Sequence, residues 1–159
     1  VTTAAPSSSP AIFIDADACP VKDEAVRVAE RHGLPVHFVS NAWMRLPEGP
    51  LIKRVIVPEG PDIADDWIAE HIGPNDVAVT ADIPLAARCL KKGAQAIGPT
   101  GKPFTESSIG MALAMRELSA HLRETGESKG YNASFTRQDR SRFLEALELA
   151  VRRAMGASR

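Results

Sequence analysis

The chain has 159 residues, 44% of them hydrophobic and 25% charged, with 19 basic residues against 20 acidic ones for a formal net charge of −1. A chain of this size buries about 68–70% of the surface its unfolded form exposes, so it needs neither disulfides nor a structural metal to hold a core. No apolar run is long enough to span a bilayer, and the balanced charge excludes a protein that grips nucleic acid by bulk positive charge, so any polyanion must be held locally.

Residues 1–10, VTTAAPSSSP, have neither the basic start nor the apolar run of a signal peptide and are read as a disordered leader, with one domain over residues 11–155. Ala11-Ile12-Phe13-Ile14 is a short continuous apolar run, the pattern of a strand buried on both faces, and Asp15-Ala16-Asp17 halts it. After Pro20 a helix is predicted over Lys22 to Arg31, with Ala25, Val26, Val28 and Ala29 turned inward and Gly33 at its end. Strands are predicted at Val36 to Ser40 and at Ile52 to Val57. Asp62 is the natural N-cap of a helix from Ile63 to Ile72. Val77 to Thr80 reads as a strand, Pro84 to Lys92 as a helix with Gly93 as its C-cap, and Ala94 to Ile97 as the last strand.

Beyond Gly98 the pattern turns helical. Ser107 or Ser108 caps a helix reaching Arg123, whose Met111, Met115, Leu118 and Leu122 share a face read as core. A mobile polar loop is expected over Glu127 to Thr136, and a final amphipathic helix over Gln138 to Met155, with Phe143, Leu144, Leu147, Val151 and Ala154 in register. Alternating strands and helices imply an α/β fold, a three-layer sandwich around a mainly parallel sheet, with C-terminal helices added. Cys19 and Cys89 stand in unrelated contexts, which suits a buried-thiol role and a reducing cytoplasm.

The chemistry is expected where the aspartates fall. In an open parallel sheet, ligands bind in the crevice at the carboxyl ends of the strands. Asp15 and Asp17 follow the first strand and Asp82 follows the strand at Val77 to Thr80. Asp62, Asp65 and Asp66 open a helix, where spacings of three and four put Asp62 on the face of the other two. Singly, each aspartate is explained by capping or turn formation, and Asp23, Asp76 and Asp139 are assigned to caps or solvated faces. Together, three segments bring carboxylates to one edge, and crowded carboxylates are costly unless a cation sits among them. All-oxygen ligands favour Mg²⁺ or Mn²⁺ over zinc, and phosphodiester hydrolysis is the chemistry such a site suits.

Other candidates carry less. Gly98-Pro99-Thr100-Gly101-Lys102-Pro103 lacks the glycine spacing and the hydroxyl residue of a phosphate-binding loop. Lys102, with Thr105 and Ser108 at a helix start, and Arg140, within the cluster Arg137, Arg140 and Arg142, are candidate phosphate or nucleic-acid contacts. His32, His37, His71 and His121 are scattered and read as surface or packing residues; Trp67 is expected to pack, and Trp43 either packs or stacks on bases.

From Ile12 to Ala154 the chain resembles the bacterial YaiI/YqxD family of PIN-like proteins. The resemblance lies in Asp15-Ala16-Asp17-Ala18-Cys19-Pro20-Val21-Lys22, in Gly60-Pro61-Asp62-Ile63-Ala64-Asp65-Asp66-Trp67-Ile68 and in Thr80-Ala81-Asp82-Ile83-Pro84-Leu85-Ala86. That family is similar in turn to PIN and NYN nuclease domains, which hold divalent metal on acidic residues after the first strand, on a central helix and after a later strand. The resemblance implies a PIN-like fold and a metal-dependent nuclease acting on RNA. It implicates Asp15, Asp62 or Asp65 with Asp66, and Asp82, with Asp15, Asp66 and Asp82 as the catalytic set and Asp17 and Lys22 beside them. Two alternatives stand next to it: an RNA-binding or regulatory module without turnover, and a phosphatase of the haloacid dehalogenase type built on Asp15 and Asp17, which leaves Asp82 without a role.

Overall fold

Strand β1 (Ile12–Asp15) lies at the centre of a five-stranded, wholly parallel sheet of order β3-β2-β1-β4-β5, with β2 at Val36–Ser40, β3 at Ile52–Ile56, β4 at Val77–Val79 and β5 at Gln95–Ile97. The computed structural model describes residues 10–111, 113–115 and 135–157. The expected leader up to residue 9, His121, Leu118, Leu122 and the expected loop up to residue 134 lie outside the described residues.

The apolar run of β1 needs cover on both faces, and the helices divide accordingly. Ile12, Ile14, Val36, Phe38, Val77 and Val79 face the layer of α1 (Lys22–His32) and α5 (Arg137–Ala157). Phe13, Val39 and Ala78 face that of α2 (Ile63–His71) and α3 (Ile83–Lys91). Strand periodicity of two is what sends neighbours to opposite layers. Pairing Ile12 with Val36 on one side and Val77 on the other fixes the register. Among the described residues no helix is long and apolar enough to cross a membrane.

Helix α5 is the brace of its layer. Thr136 and Asp139 cap it reciprocally, the Asp139 amide donating to the Thr136 hydroxyl at 3.0 Å and the Thr136 amide to the Asp139 carboxylate at 2.9 Å. Phe143 and Leu147 are fully buried, each worth about 1.5–3 kcal/mol of transfer free energy. Glu148 gathers Arg152 at 2.7 Å and His32 of α1 at 2.8 Å, and this pairing holds its carboxyl below the usual range.

Several expectations are corrected. Residues 106–111 and 113–115 are helical (α4), but Thr105 caps that helix in a reciprocal pair with Ser108, which an N-cap at Ser107 or Ser108 did not foresee. Met111 and Met115 are 72% and 55% exposed, so this face is not core. Asp62 occupies the N-cap position of α2 in a left-handed conformation (φ 65°) and its side chain makes no cap bond. The C-cap of α3 is Lys92, with Gly93 following at φ 86°. Asp76 is neither cap nor solvated: it accepts the amides of Ala11 and Gly73, both at 2.9 Å, and pins the entry to β1.

Gly101 marks where the sheet meets the brace. It turns at φ +90°, and a Cβ there would lie 2.6 Å from the Arg142 carbonyl oxygen of α5. Left-handed backbone alone costs a side chain about 1–2 kcal/mol, and here α5 would also have to shift. Gly101→Ala is therefore expected to lower stability by at least about 2 kcal/mol, read as the midpoint of urea unfolding.

Candidate active site

The strand order reverses its winding between β1 and β4, since the chain moves outward from β1 to β3 and then returns to β4 on the other side. Such a switch point leaves a crevice at the carboxyl ends of the two strands, because their following segments depart to opposite faces. Asp15 ends β1 there and Thr80 follows β4. The buried Thr80 hydroxyl donates to Asp15 Oδ2 at 3.0 Å and accepts the Asp82 amide at 3.0 Å. Asp82 in turn caps α3, its Oδ1 accepting the Leu85 amide at 2.9 Å. One oxygen of each carboxylate is thereby fixed, and the other stays outside these bonds. Asp15, Thr80, Ala81 and Asp82 line a cavity of about 330 Å³ that Cys19 and Pro99 close at its sides.

The electrostatics are those of a crowded acidic pocket. Burial raises the Asp15 carboxyl, the Thr80 bond opposes this, and Asp17 and Asp82 add to it. Asp65, on α2, is pushed up to about 6, first by burial and then by Asp82, Asp15 and Asp62. These neighbours identify Asp65 as the α2 residue turned toward the pocket. Among the described residues no three His, Cys, Asp or Glu side chains form a ready-made metal cage. What the donor set suits is a hydrated hard cation that takes one or two carboxylates and keeps its waters.

The remaining predicted site residues lie elsewhere. Asp66 points away to Arg88 of α3, with a 2.7 Å ion pair between exposed side chains, so Asp65 and not Asp66 stands with Asp15 and Asp82. Asp62 contributes only its charge to Asp65. Asp17 is exposed and accepts the Asn41 amide at 3.4 Å. Lys22 donates to the Cys19 carbonyl at 2.7 Å, holding the turn beside the pocket. Thr105 and Ser108 are spent on capping, and Lys102 is exposed on the Gly101 turn. Arg140 donates to the Pro20 carbonyl at 2.7 Å and pairs with Glu24, so it braces the pocket wall from outside. Burial raises the Cys19 thiol, which lines the cavity as a neutral group.

His37 stacks on Phe13 at 4.7 Å and His71 on Trp67 at 3.8 Å, packing roles as expected. Thr80 is the residue sequence reasoning missed. A threonine ending an apolar run looks like an ordinary strand former, and only the Thr-Ala-Asp step into a helix hinted at more.

Compared with known proteins, residues 13–153 match the family model described as "Uncharacterized BCR, YaiI/YqxD family". Similar proteins include a UPF0178 protein of Parvibaculum lavamentivorans, 66% identical over 140 residues, which cover 88% of this chain and 92% of that one. Others are a UPF0178 protein of Rhodospirillum rubrum, 66% identical over 141 residues (88% and 94%), and one of Agrobacterium fabrum, 61% identical over 145 residues (91% and 95%). No solved structure matches the chain.

The raised Asp65 carboxyl has a consequence for stability. Between its ordinary value of 3.8 and about 6, the folded protein holds a proton that the unfolded chain has released, so this group's contribution to stability falls as pH rises through that window. Asp65→Asn is expected to be more stable than the parent at pH 7.5, with the difference closing near pH 4, in paired urea titrations. Parallel curves at both pH values would show that Asp65 is not held in this field.

Proposed function

The chain belongs to the YaiI/YqxD family, and from that premise we propose that it is a divalent-metal-dependent nuclease hydrolysing phosphodiester bonds of RNA. The observation that carries this reading is the sharing of one buried Thr80 hydroxyl system by Asp15 and Asp82 at the switch point of the sheet. Two carboxylates fixed side by side repel each other, and capping alone would have required only Asp82. The likeness of these positions to the acidic positions of PIN and NYN nucleases supports the same reading.

The outer oxygens of Asp15 and Asp82 would hold Mg²⁺ or Mn²⁺, which when bound supplies a more acidic water and positive charge for the leaving oxygen. Thr80 keeps both carboxylates oriented, as a hydrogen-bond partner behind metal ligands does. Asp65, with a carboxyl near 6, is poised to take the proton of the attacking water. Asp66 is occupied by Arg88 and has no part in the chemistry.

Purified protein is expected to cut single-stranded RNA in Mn²⁺ or Mg²⁺ and to stop on addition of EDTA. Asp15→Asn and Asp82→Asn abolish cleavage, Thr80→Val lowers it about 10–100-fold, and Asp66→Asn leaves most of it. Circular dichroism checks that each variant folds. RNA retained equally in EDTA with no products at any metal concentration would replace this reading with a binding module that does not turn over.

A further inference from the structure

The chain between β2 and β3 is unusual for a parallel connection because it carries no helix: residues 41–51 cross in irregular structure. Its side chains nonetheless alternate. Met44 and Leu46 turn to the core beside α1, while Trp43 and Arg45 turn out. Trp43 is 67% exposed, the one aromatic among the large hydrophobic residues exposed in the described structure. It is not loose, because the Arg54 guanidinium of β3 lies over its ring at 4.8 Å. A flat indole held on one side by arginine offers its other face to a planar ligand.

This outer side is continuous with the aspartate pocket. Cys19 lines the pocket and also a neighbouring cleft of about 520 Å³ that includes Lys22 and Arg45. Arg45 lines in turn a third cleft of about 400 Å³ with Trp43 and Arg54. The three hollows meet at shared residues. Their cationic lining, Lys22, Arg45 and Arg54, outnumbers the acidic Asp23 and Glu48, in contrast to the all-acidic pocket at the end of the path.

We propose that this path is a binding track for a single-stranded polynucleotide, with one base stacked on Trp43 and the adjoining backbone passing Arg45 toward the aspartate pocket. The occupant follows from the chemistry: aromatic faces next to cations take bases and phosphates of one strand, and a duplex hides its base faces. The proposal rests on the aspartate pocket being a site of phosphodiester cleavage.

The test measures binding of fluorescein-labelled ten-residue oligouridylate, its DNA counterpart and a blunt duplex in EDTA, where no cleavage interferes. Trp43→Ala is expected to weaken single-strand binding about tenfold, Trp43→Phe to restore most of it, and Arg45→Ala to flatten the logarithmic salt dependence by about 0.7. Tryptophan emission of the parent is expected to be quenched by unlabelled strand, and that of Trp43→Phe, whose remaining tryptophan is Trp67, to be unchanged. Preference for RNA over DNA, or equal binding of both, supports the track and tells which sugar it takes. No binding by the parent, equal binding by Trp43→Ala, or equal binding of duplex overturns it. Trp43-dependent binding with no metal-dependent products overturns the cleavage reading and leaves the track standing, whereas cleavage with Trp43→Ala binding unchanged overturns the track alone.

Discussion

One hydroxyl holds the site together. Thr80 donates to Asp15 from the end of the neighbouring strand and receives the amide of Asp82, so it measures the separation of β1 and β4 at their carboxyl ends. That bond is possible only in the register that pairs Ile14 with Val79, which brings the residues just beyond side by side. A slip of one residue would send every side chain of β4 to the opposite face and bury the threonine against the wrong layer. The apolar alternation that fills both layers is thus also what aims the carboxylates.

The opposing force is charge. Asp15, Asp65 and Asp82 raise one another's affinity for protons, and the fold tolerates this because its stability is secured elsewhere. Helix α5 supplies much of that security and reaches both walls of the pocket. Its Arg140 holds the Pro20 carbonyl beside Cys19, and the backbone at Arg142 meets Gly101, two residues beyond Pro99. A residue that looks in sequence like a phosphate ligand is in space a clamp on the loop that frames the aspartates. Its exposure is partial and its partners are backbone and Glu24, so its contribution is to geometry more than to Coulomb energy.

What was legible in the sequence follows from range. Strands buried on both faces announce themselves by continuous apolar runs, and all five were placed within a residue or two, as was the order of elements. The switch point was not legible, because strand order is a matter of contacts far apart in sequence. Asp65 and Asp66 were likewise indistinguishable: spacing places both near Asp62, and only the position of Arg88 on α3 settles which one is drawn away. Met111 and Met115 misled for the same reason, since helical periodicity reports that two residues share a face and not that anything covers it. The left-handed Asp62 shows a backbone choice overriding a side-chain preference for capping.

Near-neutral net charge then takes on a different meaning. A chain of charge −1 has little long-range attraction for a polyanion, and the few cations beside Trp43 sit next to an acidic pocket that repels phosphate. Affinity for a strand must therefore come from contacts that salt does not weaken, and base stacking on an indole is such a contact. The pocket becomes hospitable to phosphate only when a cation neutralises it. Stacking outside and a cation inside divide the task between them: the first holds a strand without regard to charge, and the second lets the backbone approach the carboxylates.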